Sequence, residues 1–311
     1  MNGPKSTFSL TGELVVTAEE TSGFVVVEAL PRKLRLHRKG LGALKACKMK
    51  GGNSSLFAFV LVESPATIVL WDDRQGKKIG ELGPYSANVQ RWDWGDDVIA
   101  TTLLDGRVFV YSLTDRLRLV HSERSHPEAC DVLSVATSSG VTRVAYAGMS
   151  SGSIVIYNAA TDAATMIRAH EHPVILARFS PDGSRMVTAS THGTVLRVFD
   201  IDGRLLEEPS LLRRSTTTKA RIHDAAFSHE SPPSLLAASF DSGTLHVFEP
   251  TKQVSPRLPV AQRSKWRVEL PDKEPCNVAF HHRGGSVVMA IGGSGWFVAY
   301  RLGEDGSLSM L

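Results

Sequence analysis

The sequence predicts an all-β fold, a seven-bladed β-propeller, and three observations carry that prediction. A short strand pattern recurs along the whole chain, each copy follows a second strand across a tight polar turn, and no amphipathic helical period interrupts them. The copies begin with Gly23-Phe24-Val25-Val26-Val27, Thr67-Ile68-Val69-Leu70-Trp71, Gly106-Arg107-Val108-Phe109-Val110-Tyr111 and Gly152-Ser153-Ile154-Val155-Ile156-Tyr157. They continue with Gly193-Thr194-Val195-Leu196-Arg197-Val198-Phe199, Gly243-Thr244-Leu245-His246-Val247-Phe248 and Gly295-Trp296-Phe297-Val298-Ala299-Tyr300. The first ends without an aromatic, and the second has Ala66 where the others have glycine.

Anchored on positions 23, 66, 106, 152, 193, 243 and 295, the pattern returns every roughly 40–50 residues, the length of one four-stranded blade. The preceding strands are expected at 14–18, 56–62, 97–101, 143–147, 185–189, 234–239 and 286–291. Strand, tight turn, strand at this period is the middle hairpin of a blade. Parallel α/β folds need helices between their strands, which this pattern does not supply. The last copy has its own continuation, a turn at Gly303-Glu304-Asp305-Gly306 and a strand at 307–311. The ring is therefore expected to close without exchange of an N-terminal strand, with residues 1–311 forming a single domain, a length that propellers reach.

Composition narrows the function. The chain is 42% hydrophobic and 22% charged, ordinary for a globular protein. A net charge of +3 is too mild to argue for nucleic acid, so anion binding would have to come from a local patch. Cys47, Cys130 and Cys276 are scattered and odd in number, which argues against a disulfide framework or zinc site and fits a reducing compartment. The start of the chain lacks the apolar run of a signal peptide, and the longest apolar runs, such as 56–62, fall short of a membrane span. A cytoplasmic protein without cofactor or metal is expected.

Catalytic readings fail on context. Gly148-Met149-Ser150-Ser151-Gly152 matches a nucleophile elbow in letters, but a strand and not a helix follows it. Gln75-Gly76-Lys77-Lys78 lacks the upstream glycine of a phosphate loop. His170-Glu171-His172 and His281-His282 come without further ligands at metal spacing. The chain is not expected to be an enzyme.

The most specific stretch runs through the fifth and sixth copies. Ala169-His170-Glu171-His172-Pro173 leads into Ala177-Arg178-Phe179-Ser180-Pro181-Asp182-Gly183, then Val187-Thr188-Ala189-Ser190-Thr191-His192-Gly193, then Leu211-Leu212-Arg213-Arg214-Ser215 and Ile222-His223-Asp224. Together with the Trp71-Asp72-Asp73 exit of the second copy, this order closely resembles the PROPPIN family, the WIPI-like β-propellers of autophagy and endolysosomal membranes. The family signature is Phe-Arg-Arg-Gly; here Leu212 stands for the Phe and Ser215 for the Gly, with both arginines kept.

The resemblance implies a peripheral effector that binds phosphatidylinositol 3-phosphate, its 3,5-bisphosphate, or both. Site one would use Thr188, Ser190, Gly193, Thr194, Arg197 and Arg213, and site two Arg214, Ser215, Ser239, Thr244 and His246. Arginine presents a rigid fork of donors that matches phosphate oxygens. Because side chains alternate along an extended segment, adjacent arginines can enter different pockets. Leu258, Pro259 and Val260, flanked by Lys252, Arg257, Arg263 and Lys265, would form a shallow membrane-contacting tip. The implied partners are phosphoinositide membranes and autophagy lipid-transfer or conjugation-machinery proteins, these proteins docking on blades two and three. The competing reading is a propeller scaffold that binds protein only and has lost its lipid.

Overall fold

The computed structural model describes residues 6–9, 11–19, 21–51, 54–114, 116–193, 195–201, 209–213, 220–250, 261–274, 276–284 and 286–311. Among these residues the strands form seven sheets, each at least four-stranded, in sequence order around a ring. The expected hairpins are present, with bounds shifted by a residue or two: Leu14–Ala18 with Gly23–Glu28 opens the series, and Val287–Gly292 with Phe297–Leu302 ends it. Blade five comprises Val174–Phe179, Arg185–Ser190, Val195–Asp200 and Ser210–Arg213. Blade six comprises Ile222–Phe227, Leu236–Phe240, Thr244–Phe248 and Trp266–Glu269.

Each blade is covered on both faces by its neighbours, so its second strand is buried on both sides. Val98–Leu103 and Arg185–Ser190 are buried at every position. The core is accordingly a set of inter-blade layers. Between blades five and six, Val187, Ala189, Leu196 and Leu212 meet Ala225, Phe227, Leu236 and Phe240. Each large apolar side chain buried this way contributes roughly 1.5–3 kcal/mol. The outermost strands, such as Lys33–Lys39 and Ala163–Arg168, face solvent on one side and are mostly polar or exposed.

Closure needs no exchanged strand. Blade one has its own four strands from Ser6, and blade seven has its own four, ending at Leu308–Met310. Val15 and Ala29 of blade one pack on Ala279, Val287, Met289 and Ile291 of blade seven. At the centre, side chains of the first strands sew every interface. Thr7 Oγ1 donates to the Cys47 carbonyl (3.4 Å), Lys48 Nζ to that of Trp92 (2.7 Å), and Asp93 accepts from Val135 N–H (3.1 Å). Phe179 N–H donates to Ser134 Oγ (3.0 Å), and Arg178 to Asp224 (3.2 Å). Asp224 also accepts from Val278 N–H (3.1 Å), and Asn277 Nδ2 donates to the Ser6 carbonyl (2.6 Å), which joins blade seven to blade one.

One element was not foreseen. Gln262–Arg263 pairs in parallel with the outer strand of blade five and gives that sheet a fifth strand. An outer strand leaves a row of backbone donors and acceptors open, and the chain on its way to the last strand of blade six uses them.

Candidate functional site on blades five and six

Strand register decides which of the expected residues can meet, because side chains alternate between faces. On blade five Ala189, Leu196 and Leu212 lie opposite one another and enter the core shared with blade six. The residues between them turn the other way. Thr188, Arg197 and Leu211 are aligned across the sheet, as are Val195 and Arg213, on the face that packs against blade four through Met186 and Phe199. Thr188, Ser190, Arg197 and Arg213 therefore share one face of one blade.

The interior of this site is polar and tightly held. Thr188 is fully buried, and its Oγ1 is hydrogen-bonded to His170 Nε2 at 2.8 Å. Burial pushes the His170 imidazole down to about 4, with the Arg197 charge as a second cause, so the ring is neutral at physiological pH. Arg197 donates through Nη1 to the Ala169 carbonyl at 2.7 Å. Its Nε is buried and has no hydrogen-bond partner among the described residues. An unspent buried donor of this kind costs about 1–3 kcal/mol, which an incoming anion would offset.

The edge of the site is a turn and two cations. Gly193 N–H donates to the Ser190 carbonyl at 3.0 Å, closing the turn between the second and third strands. Gly193 sits at φ +66°, and a Cβ there would overlap the Ala220 carbonyl oxygen, so only glycine closes this turn without displacement. Arg213 is exposed at the end of the outer strand. In the added parallel strand, Arg263 is in register with Arg213, and Gln262 with Leu212. Two exposed arginines thus hold paired positions on neighbouring strands, where like charges repel unless an anion sits between them.

On blade six the expected residues divide. Thr244 and His246 lie opposite Phe240 and Ala238, which belong to the core shared with blade five. Thr244 Oγ1 is bonded to Ser242 Oγ (2.9 Å), and His246 Nδ1 to Ser264 Oγ (2.9 Å), with the His246 ring edge-on to Phe240. Ser239 turns to the opposite face and donates its hydroxyl to the Cys276 carbonyl of blade seven at 2.9 Å. Placing Ser239 with Thr244 and His246 thus conflicts with the period of two along the strands. Thr194, Arg214, Ser215, Leu258, Pro259 and Val260 lie outside the described residues.

Two residues join the site that the sequence did not place there. His170 reads in sequence as part of a His-Glu-His run without metal spacing, and nothing in that spacing signals the bond to Thr188. Arg263 reads as part of a loop collar, and only the parallel pairing sets it beside Arg213.

A match to the PROPPIN family spans residues 51–270. Kluyveromyces lactis Hsv2 is similar in structure, with a TM-score of 0.81 at 18% identity, over 99% of this chain and 98% of that one. KlAtg21, in its complex with the coiled-coil of AgAtg16, gives a TM-score of 0.81 at 20% identity, over 100% and 98%. The Myceliophteria thermophila Cps50 (Swd1) β-propeller domain gives 0.66 at 13% identity, over 96% of each chain. At these identities the structures speak for the fold. No curated protein matches the chain.

Proposed function

The chain belongs to the PROPPIN family, and from that premise we propose that it is a phosphoinositide-binding effector recruited to autophagosomal or endolysosomal membranes, reading 3-phosphorylated headgroups at the rim of blades five and six. The observation that carries this reading is the shared face of Thr188, Ser190, Arg197 and Arg213, with a buried Arg197 Nε left over and Arg263 aligned beside Arg213.

The chemistry is recognition without bond making. Arg213 and Arg263 meet the phosphate in water, as exposed groups that steer the headgroup in. Arg197, held by the Ala169 carbonyl, offers its Nε from the interior, where a charge-assisted bond is stronger. Neutral His170 fixes the Thr188 hydroxyl. Arg213 lies on the blade-four side, and Arg214 and Ser215 are assigned to a second pocket with Thr244 and His246 of blade six. Two weak pockets on one rim then act together once the first is filled. An anionic leaflet adds about 1 kcal/mol per nearby Lys or Arg, and Leu258, Pro259 and Val260 supply a shallow apolar tip. Residues 1–311 act as one domain in this account.

No helix among the described residues is long and apolar enough to cross a membrane. The complex of KlAtg21 with a coiled-coil supports a helical autophagy partner for this chain as well.

Flotation with vesicles containing phosphatidylinositol, its 3-phosphate or its 3,5-bisphosphate tests the reading. The wild type is expected to float with the 3-phosphorylated lipids and not with phosphatidylinositol. Arg213→Ala and Arg214→Ala are each expected to weaken binding, and together to abolish it. A wild type that stays at the bottom with all three lipids would leave a protein-binding scaffold.

A further inference from the structure

The first strands of all seven blades enclose a central cavity of about 480 Å³. Its lining is not neutral. Lys48 enters from blade two, Arg91 from blade three and Arg178 from blade five, against two carboxylates, Asp93 and Asp224. Lys50 and Asp96, also in the lining, balance each other, and His229 is bonded to the Phe280 carbonyl. The channel therefore holds one more cation than it holds carboxylates.

Both carboxylates are already engaged. Asp224 accepts from Arg178 on one oxygen and from Val278 N–H on the other. Asp93 accepts from Val135 N–H and lies 3.6 Å from Lys48 Nζ, which also donates to the Trp92 carbonyl. Arg178 spends further donors on the Leu133 and Ala177 carbonyls. Arg91 is the cation left over: its Nε is buried and has no hydrogen-bond partner among the described residues. Burial, with the Arg178 charge behind it, outweighs the pull of Asp224, Asp93 and Asp131 and holds the Arg91 guanidinium down to about 10, and burial outweighs Asp93 and holds the Lys48 ammonium down to about 8. A site that penalises its own positive charges in this way gains when an anion enters.

We propose that the central channel is an anion site, where a small oxyanion of the phosphate class docks on Arg91 with Lys48 and Arg178 on either side. Arginine's planar fork suits two oxygens of one phosphate, and the two carboxylates that stitch neighbouring blades limit the charge that the site accepts. The site is separate from the blade five and six rim and stands without the lipid reading.

Inorganic phosphate is the probe, with chloride at matched ionic strength as the reference and neutral pH throughout. Phosphate is expected to raise the wild-type Tm saturably, and calorimetric titration to include a site that Arg213→Ala leaves intact. Arg91→Met is expected to weaken phosphate at that site by about tenfold or more, and in chloride to melt no lower than wild type, since an unpaired buried charge is gone. Should Arg91→Met fail to fold, Arg91→Gln, which keeps a donor, carries the same comparison. A wild-type Tm that phosphate leaves where chloride does, or a shift that survives Arg91→Met and disappears with Arg213→Ala, overturns the proposal.

Discussion

At the scale of the residue, the site depends on a few buried polar groups whose partners are fixed. His170 is one. Its folded-state pKa, about 4, lies below the ordinary value of 6.5, so the unfolded chain takes up the proton first. The stability held at neutral pH is lost as pH falls from about 6.5 toward about 4. Urea midpoints measured through that window should decline for the wild type and decline less for His170→Asn. Leu212 is a second. It is fully buried between blades five and six, so Leu212→Ala should cost about 2–5 kcal/mol in a denaturant titration. That position reads correctly from sequence, because a leucine before two arginines is an apolar anchor on an alternating strand. The role of His170 does not, because it depends on a contact with another blade's strand. Ser239 misleads for the reverse reason: it is near Thr244 in sequence, yet one position of register sends its hydroxyl to blade seven.

At the scale of the element, the second and third strands of each blade are legible because they are runs of β-branched and aromatic residues joined by turns that need glycine or a small polar residue. Gly193 shows how strict one such turn is. With φ +66° and the Ala220 carbonyl against the missing Cβ, Gly193→Ala should lower stability by more than about 1 kcal/mol, read as a shifted urea midpoint. The same variant should weaken vesicle binding, since the turn carries Ser190 and adjoins the Arg213 strand. The Gln262–Arg263 strand was not legible. Two residues carry no periodic signal, and their pairing is set by the open edge that blade five presents. The first strands were not read from the sequence, and those of blades two, three, five and six carry register shifts at Leu44/Ala46, Val89/Arg91, Val174/Leu176 and Ile222/Asp224 that break simple alternation.

At the scale of the whole molecule, the repeat count and the closure were written in the sequence, since the seventh copy has a complete set of strands. The polar stitching at the centre was not, because it joins residues forty or more positions apart, and Asn277 with Ser6 across nearly the whole chain. Asp224 binds two interfaces at once. Asp224→Asn should destabilise the ring by about 3–5 kcal/mol, because it also leaves Arg178 unpaired in the channel; calorimetric unfolding measures this. A rim that attracts a membrane largely by charge should also release it as salt rises. Only a charge-matched comparison separates a built site from general attraction. The deciding measurement is therefore the affinity for vesicles bearing phosphatidylinositol 3-phosphate of Arg213→Ala/Arg214→Ala against Lys33→Ala/Lys39→Ala, which removes two exposed cations from the outer strand of blade one. The account predicts that the first pair loses binding and the second keeps it; equal losses in the two would contradict a headgroup site on blades five and six.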